Sequence, residues 1–591
     1  MRKDRDKREE RGEGDGLGPF FGKYTPDCRS AWRLYKKGID FNNGINLEET
    51  VKTNENFFIG KQWEGIQANG LPTPQFNFFK RVVGFIVASI TSDNLKVNAT
   101  ALEASEDTAE LESMVRVVND EFEAIMEREN IPSLTREFCR NAAVDGDGCL
   151  YTYWDDKAET GQKAKGKITT EIVENDRVYF GNPNDRRVQT QPWIIIAKRE
   201  ITRCLRKKAK KNGIEEWEAI KDDDDDNLSM DEAKRSDDKC TELLLFWRDE
   251  DSGEIWAFET TETCATKEPW NTGLTLYPIC WLNWDYVRDC YHGQAMITGL
   301  IPNQEFVNRG WAMSMVSLLR SGFPTKVYDS TRIKHLDNRV GAAIGIPGGD
   351  VQNAIKVIDP PSISPQVGQY LQLAVDQTEQ MLGATSVALG DTRPDNTSAI
   401  IALQRAAATP TELTKQNLYK AIEDLFRIYL EFMAEYYGKR KVDMKTPEDL
   451  VQRAAMLGMS LPEEMPTEFD FGQLKDHPMT LKLDIGASSY YSEIASLNTL
   501  DNLLQNNRIT AVQYLERVPD GHIPGRRKLI EELKQMEAQQ AMMAQQQAMP
   551  QEIPQGESIL DQNQRPELPQ GGGYSALQRK VNEAGTTAGL V

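Results

Sequence analysis

Histidine is scarce in this chain. Its 591 residues include four, His292, His335, His477 and His522, far apart in sequence and without a His-Glu-x-x-His or paired Cys/His spacing. Zinc and a Cys–His nucleophile therefore have no local support. The phosphate-cradling loop of an ATPase or kinase is missing as well. Gly60-Lys61 runs into Gln62, Gly166-Lys167 into Ile168 and Gly438-Lys439 into Arg440, where that loop needs Ser or Thr. Gly-x-Ser-x-Gly is absent. The eight cysteines, Cys28, Cys139, Cys149, Cys204, Cys240, Cys264, Cys280 and Cys290, contain no Cys-x-x-Cys pair, and the charged start has no apolar leader. A reducing cytosol is the expectation. The apolar run Val82 to Ile90 falls far short of the roughly 20 residues that span a bilayer, so no membrane segment is expected.

Basic charge is also in deficit. Seventy Lys and Arg stand against 91 Asp and Glu, a formal net charge of −21. Tight non-specific binding to a phosphate backbone, which needs excess cations on one surface, is not expected. Carboxylates are so numerous that pairs for acid-base or two-metal work stay open, with nothing to single out one pair. No cofactor and no enzymatic activity are expected.

What is present is core-forming sequence, 39% hydrophobic, in a chain long enough for several packing units. Residues 1–45, rich in charge and Gly, read as a flexible arm; Gly12, Gly14, Gly16 and Gly18 belong to it as linker, with no strand before them to make a dinucleotide site. The stretch FFKRVVGFIVASI followed by LKVNAT reads as a strand region, and Thr108 to Cys139 as one amphipathic helix, with Leu111, Val115, Val118, Phe122 and Ile125 at helical spacing. Between Leu150 and Tyr286 the segments CLYTYW, RVYFGNP, PWIIIAKRE, TELLLFWRD and EIWAFETT are short, aromatic and β-branched, and read as strands of an antiparallel or mixed sheet. The basic helix KREITRCLRKKAKK and the acidic run KDDDDDNLSMDEAKRSDDK between them read as solvated surface; the latter lacks the glycine and spaced acceptors of a calcium loop.

From His292 the chain turns helical. GQAMITGLIPNQEFVNRGWAMSMVSLLRS reads as a long helix that Pro302 kinks or divides. A Gly/Pro-punctuated excursion with short β runs follows, and then a helix from Pro365 to Gly390 carrying Val367, Tyr370, Leu371, Ala374, Val375 and Thr378. Asp391 to Asn396 is a turn cluster and Thr397 to Ala408 a helix of small residues. Thr409-Pro410-Thr411-Glu412 has the pattern of a capping box that starts a helix running to Gly438, with the following KRK as its cationic end. MTLKLDIG reads as a returning strand, IASLNTLDNLLQNNRITAVQYLERV and RRKLIEELKQMEAQQAMMAQQQ as helices, and the Gln/Pro/Gly-rich end from Pro550 as disorder.

Four segments in this order resemble the portal proteins of tailed bacteriophages, the head-to-tail connectors, especially the large portals of the short-tailed type. They are ENFFIGKQW (Glu55 to Trp63), YHGQAMITGLIPNQEFVNRGWAMSMVSLLRSGFPTKVYD with Gly293, Pro302, Gln304 and Asn308, DNTSAIIALQRAAATP, and SLNTLDNLLQNNRITAVQYLERVPDG. The resemblance implies a predominantly helical α+β portal fold that assembles as a ring, typically dodecameric. Its parts would be a flexible arm (1–45), wing (46–290), first stem helix (291–322), clip (323–364), second stem helix (365–390), tunnel loop and kinked helix (391–410), long wing helix and returning strand (411–490), crown helices (491–549) and a disordered tail (550–591).

It also implies a function: a DNA channel at one capsid vertex that nucleates head assembly, docks terminase for packaging and later joins head to tail for ejection. The implied partners are copies of itself, the terminase large subunit, major capsid and scaffolding proteins, tail adaptors and double-stranded DNA. The place would be the virion, and the host cytoplasm during assembly. Asp391, Arg393, Asp395, Asn396 and Thr397 would form the tunnel loop, with Arg393 either touching phosphate or paired to Asp391 or Asp395. Lys326, Arg332 and Lys334 would lie in the clip, as docking cations or as solvated surface. Another oligomeric connector or baseplate ring is the alternative reading, and a metal-dependent DNA-processing enzyme a further one.

Overall fold

The computed structural model describes residues 26–68, 70–93, 95–102, 108–159, 165–223, 238–323, 326–335, 354–358, 364, 366–382, 411–445, 464–485, 499–506, 508–518, 529–530 and 533. The chain divides into two compact units, residues 1–494 and 495–591. In the first, helices α1 (Cys28–Gly44), α2 (Leu47–Ile59) and α3 (Phe78–Ile90) lead to strand β1 (Leu95–Ala101) and helices α4 (Thr108–Arg128) and α5 (Ile131–Asp145). A β-rich region follows: β2 (Asp147–Asp155), β3 (Lys167–Val173), β4 (Val178–Phe180), β5 (Trp193–Ile201), helix α6 (Thr202–Lys211), β6 (Lys239–Arg248), β7 (Ile255–Thr260), β8 (Ala265–Asn271) and β9 (Ile279–Asn283).

These strands form two antiparallel sheets, one ordered β4-β5-β6-β7-β8 and one ordered β3-β2-β9. The run Trp193-Ile194-Ile195-Ile196-Ala197 has no polar alternation because both faces of its sheet are covered. Trp193, Ile195 and Ala197 meet Trp32 and Tyr35 of α1 on one side. Ile194 and Ile196 meet Tyr151, Tyr277 and Tyr291 on the other. Strands buried on both faces are expected to read as continuous apolar runs.

Several sequence expectations shift. Residues 28–44, assigned to a flexible arm, form α1. Asp27 and Ser30 make a reciprocal capping box at its start, and Ala31, Leu34, Tyr35 and Gly38 recur on its buried face. The run Phe78–Ile90 is a helix, and only Leu95–Ala101 is a strand. The helix expected from Thr108 to Cys139 is two helices, separated where Asn130 takes φ 50° and Pro132 opens α5.

The helix expected from residue 291 begins only at Ile301, as α7 (Ile301–Gly322), with Pro302 in its first turn. The preceding residues are held to the body outside any helix: Asp285 and Gln294 form an isolated antiparallel bridge, and the Met296 amide donates to Ala143 O of α5 at 3.0 Å. Proline therefore starts this helix instead of kinking it.

Beyond α7 lie β10 (Lys326–Tyr328) and its antiparallel partner β11 (Ile355–Val357), then α8 (Gln366–Met381) and α9 (Glu412–Phe432). Thr409 and Pro410 of the expected capping box lie outside the described residues. A π-helical turn, Met433–Tyr437, ends α9 at Gly438, and Lys439–Lys445 forms β12, paired with β13 (Glu464–Asp470). The expected cationic helix end is thus a strand. Arg440 is buried in it, 3.7 Å from the Tyr437 ring centroid and 5.5 Å from that of Trp154, with its Nη2 donating to Gly166 O at 3.0 Å. The returning strand is β14 (Met479–Ile485), antiparallel to β1. The main core joins Val82 and Ile86 of α3, Phe122 of α4, Phe138 of α5 and Ile422, Phe426 and Tyr429 of α9.

In the second unit, residues 499–505 are helical and α10 spans Ala511–Arg517. Thr510 and Gln513 cap α10 reciprocally, and Tyr514 OH donates to Asp501 at 2.7 Å. The stretch read as helix through ITAVQYLERV is therefore divided before Ala511.

Candidate functional site

Helices α7 and α8 pair antiparallel, and the small β10–β11 sheet lies between them in sequence. Asn303 Nδ2 donates to Thr378 Oγ1 at 3.1 Å near one end of the pair. Farther along, a Cβ added to Gly310 would lie 2.4 Å from Leu371 Cδ2, so glycine is what lets the two helices approach this closely. In α7 the buried residues are Ile301, Gln304, Val307, Asn308, Gly310 and Ala312; past Ala312 the helix has none. Trp311, Met313, Met315, Leu318, Leu319 and Phe323 are exposed instead. The tip has a small core of its own in Ile333 and Ala354, with Asp329 N donating to Ala354 O at 3.0 Å.

A chain of side-chain amides holds the root of this arm. Gln304 Nε2 donates to Asn308 Oδ1 at 3.1 Å and to Phe76 O at 2.8 Å. Asn308 Nδ2 donates to Gln62 Oε1 at 2.8 Å, and Gln62 Nε2 donates to Phe57 O at 3.2 Å. Backbone carbonyls can only accept, so Phe57 and Phe76 fix the orientation of all three amides. Trp63 Nε1 donates to Pro74 O at 2.8 Å and Asn77 Nδ2 to Phe58 O at 2.8 Å, which ties down the loop that supplies Gln62 and Phe76. The three side chains are buried, and among their polar atoms Gln304 Oε1 alone has no hydrogen-bond partner; a buried network this nearly satisfied specifies one arrangement of its elements.

Just before α7, His292 Nδ1 lies 2.8 Å from Asp147 Oδ2, both buried. The other carboxylate oxygen accepts from Gly293 N and Asn283 Nδ2, each at 2.7 Å. A Cβ on Gly293 would meet Asp285 O at 2.8 Å and Asp147 Oδ1 at 3.0 Å. This carboxylate is saturated by groups that hold the chain in place, which is an anchoring role.

A separate cleft of about 590 Å³ opens between α2, α5 and the 174–177 turn, lined by Glu55, Arg140, Asp145 and Asp176 among others. Burial, then the Glu55 carboxylate, pushes Asp145 up to about 8, against the pull of Arg140. Burial, then Glu174, pushes Asp176 up to about 6. Among the described residues no group of His, Cys, Asp and Glu could hold a metal ion, and no helix is long and apolar enough to cross a membrane.

Of the residues singled out from sequence, Lys326, Arg332 and Lys334 all lie exposed at the tip, and Arg332 Nε is 3.4 Å from Asp329 Oδ2. Asp391, Arg393, Asp395, Asn396 and Thr397 lie outside the described residues. Sequence reading noted Gln62, Gln304 and Asn308 as motif positions but gave no reason for them. The reason is their mutual hydrogen bonding across 246 residues of chain.

What the described residues assemble is positioning and packing: a held root, a close helix pair and an uncovered arm, the parts of a structural scaffold. The particular kind follows from comparison with known proteins. A family model described as phage P22-like portal protein matches residues 256–570, more than half of the chain, and the chain belongs to that family. The match runs from β7 through the arm and α9 into the second unit. No curated protein matches the chain.

Proposed function

We propose that copies of this chain form a ring around a DNA channel at one capsid vertex. The observation that carries this reading is the uncovered α7–α8 arm, whose exposed apolar side chains need a partner and sit on a firmly held root. In this reading α7 and α8 are stem helices and residues 323–364 the clip. Residues 46–290 and 411–490 form the wing, 491–549 the crown, 391–410 the tunnel loop and kinked helix, and 550–591 a disordered tail. The ring would nucleate head assembly with capsid and scaffolding proteins, dock the terminase large subunit during packaging, and later meet tail adaptors and release DNA. Lys326, Arg332 and Lys334 at the tip are the proposed docking cations. Asp391, Arg393, Asp395, Asn396 and Thr397 are the proposed channel-facing loop.

The charge of −21 suits a conduit, since a wall short of cations lets a polyanion slide instead of holding it. No covalent chemistry is assigned. Negative-stain electron microscopy with a solution mass on the same full-length sample tests the reading. Rings with a central hole are expected; a strictly monomeric particle at high concentration, with scaffolding protein present, would overturn it.

A further inference from the structure

The cleft between α2, α5 and the 174–177 turn is short of positive charge around its acids. Glu55 and Asp145 share one guanidinium: Arg140 Nη2 donates to Glu55 Oε2 at 2.7 Å, and its Nη1 lies 3.8 Å from Asp145 Oδ2. The cation next to Asp176, Arg177, is paired with Glu174, and Arg199 is paired with Asp223. Of the lysines in the lining, Lys52 and Lys61 are exposed and Lys239 is half-buried. Asp145 Oδ1 and Asp176 Oδ1 are both buried without a hydrogen-bond partner. Asn175 Nδ2 donates to Asp145 O at 3.1 Å, which places the turn that carries Asp176 against Asp145. Buried carboxylate oxygens without donors are costly, so this pair of acids calls for a cation that brings N–H groups.

We infer that this cleft binds a linear alkyl diammonium ion, one ammonium at Glu55 and Asp145 and the other at Asp176. Each ammonium carries three N–H donors, enough to reach the partnerless oxygen and a neighbouring acceptor. The cleft volume of about 590 Å³ is ordinary for a small-molecule site. A metal ion fits less well, because among the described residues these carboxylates are not gathered into a group that could hold one. A two-headed cation serves both acids from the two ends of its chain. The site lies within one chain and does not depend on the ring reading.

Binding is coupled to a proton. In the free chain burial, then the Glu55 carboxylate, holds the Asp145 proton on up to about pH 8 against the pull of Arg140, and Asp176 adds to the push. An ammonium at Asp145 favours the ionised carboxylate and displaces that proton. Affinity therefore rises with pH and levels off once Asp145 is ionised in the free chain. A cation drawn only by the net charge of −21 releases no proton.

Isothermal titration calorimetry of the full-length chain with diaminobutane, at constant ionic strength and in two buffers of different ionisation heat, tests the site. One-to-one binding with proton release is expected, about tenfold or more tighter at about pH 8 than at about pH 6. Asp145→Asn and Asp176→Asn should each weaken binding about tenfold, and Asp145→Asn should also remove most of the proton release. Glu250→Gln, which removes one exposed charge elsewhere, should change neither. No binding to the wild-type chain, or a loss in Glu250→Gln equal to that in the Asn variants, overturns the proposal. So does equal affinity for the fully N-methylated diammonium, which keeps both charges and has no N–H. Equal affinity for Nα-acetyl-lysinamide, which has one ammonium, overturns the diammonium ion and assigns the cleft to a lysine side chain of a protein. If an Asn variant fails to fold, the methylated and unmethylated ligands on the wild-type chain still decide.

Discussion

Strand β5 and helix α7 both carry dense apolar sequence, WIIIA in one and WAMSMVSLL in the other, and they end in different surroundings. Each of the five residues in the β5 run is buried, shared between cores on the two faces of its sheet. In α7 only Ala312 of the nine is buried. The sheet solves its burial problem within one chain, with α1 on one side and Tyr151 of β2, Tyr277 and Tyr291 on the other. Among the described residues the arm leaves the same problem unsolved: the α7–α8 seam covers one side of α7, and beyond Trp311, which meets the Phe76 ring, Met313, Met315, Leu318 and Leu319 stand exposed. Equal hydrophobicity in sequence therefore marks a core in one place and an unfinished surface in the other. What separates them is whether the topology brings a covering element.

The sharpest way to break this contrast is inside the body. Phe426 is fully buried and meets Phe122 edge-on with ring centroids 5.0 Å apart. Phe426→Ala should cost about 3–5 kcal/mol in urea unfolding of the first unit. The root of the arm comes next. Asn308→Leu leaves Gln62 Oε1 and one Gln304 donor without partners in a buried site, a loss of about 1–3 kcal/mol. Hydrogen exchange should accelerate in residues 301–312 and stay unchanged in β5 and β6; equal acceleration in both would mean that the amides support the whole body and not the arm.

A smaller effect is set by pH. Asp145 keeps its proton in the folded protein up to about pH 8, whereas an unfolded aspartate loses it near pH 4. Between those values the folded state binds more protons, so this group's contribution to stability falls as pH rises, and levels off once Asp145 itself ionises. Asp145→Asn should flatten that slope in denaturant titrations at several pH values. The smallest effect belongs to the arm: Leu318→Ala should change the stability of the isolated chain by less than about 0.5 kcal/mol, although its side chain is as apolar as any in the core.

Strands β2, β4, β5, β6 and β7 were legible because period and turn residues are local, whereas β3, β8 and β9 were not singled out, and the two-faced burial of β5 is written in its unbroken run. The helical character of α7 was legible as well, though its start was placed too early, and the family motifs pointed to Gln304 and Asn308. Three features were not. The helix Cys28–Gly44 was hidden by the charged, Gly-rich composition of the residues before it, although Ala31, Leu34, Tyr35 and Gly38 repeat at helical spacing. Arg440 reads as an exposed helix end until the π turn at 433–437 redirects the chain and places its guanidinium on Tyr437. The link from Gln62 to Asn308 depends on tertiary placement, and no periodicity in one sequence joins positions that far apart. The proposed channel residues from Asp391 to Thr397 have only the resemblance behind them.

The amide chain from Phe57 through Gln62, Asn308 and Gln304 to Phe76 contains no ionised group. A joint made of surface ion pairs weakens as dissolved ions screen its charges, on a length of about 8 Å at physiological ionic strength. Neutral, buried amides offer those ions nothing to screen. The angle at which the arm leaves the body is therefore set independently of the ionic medium, whether dilute buffer or a concentrated solution of a polyanion and its counterions.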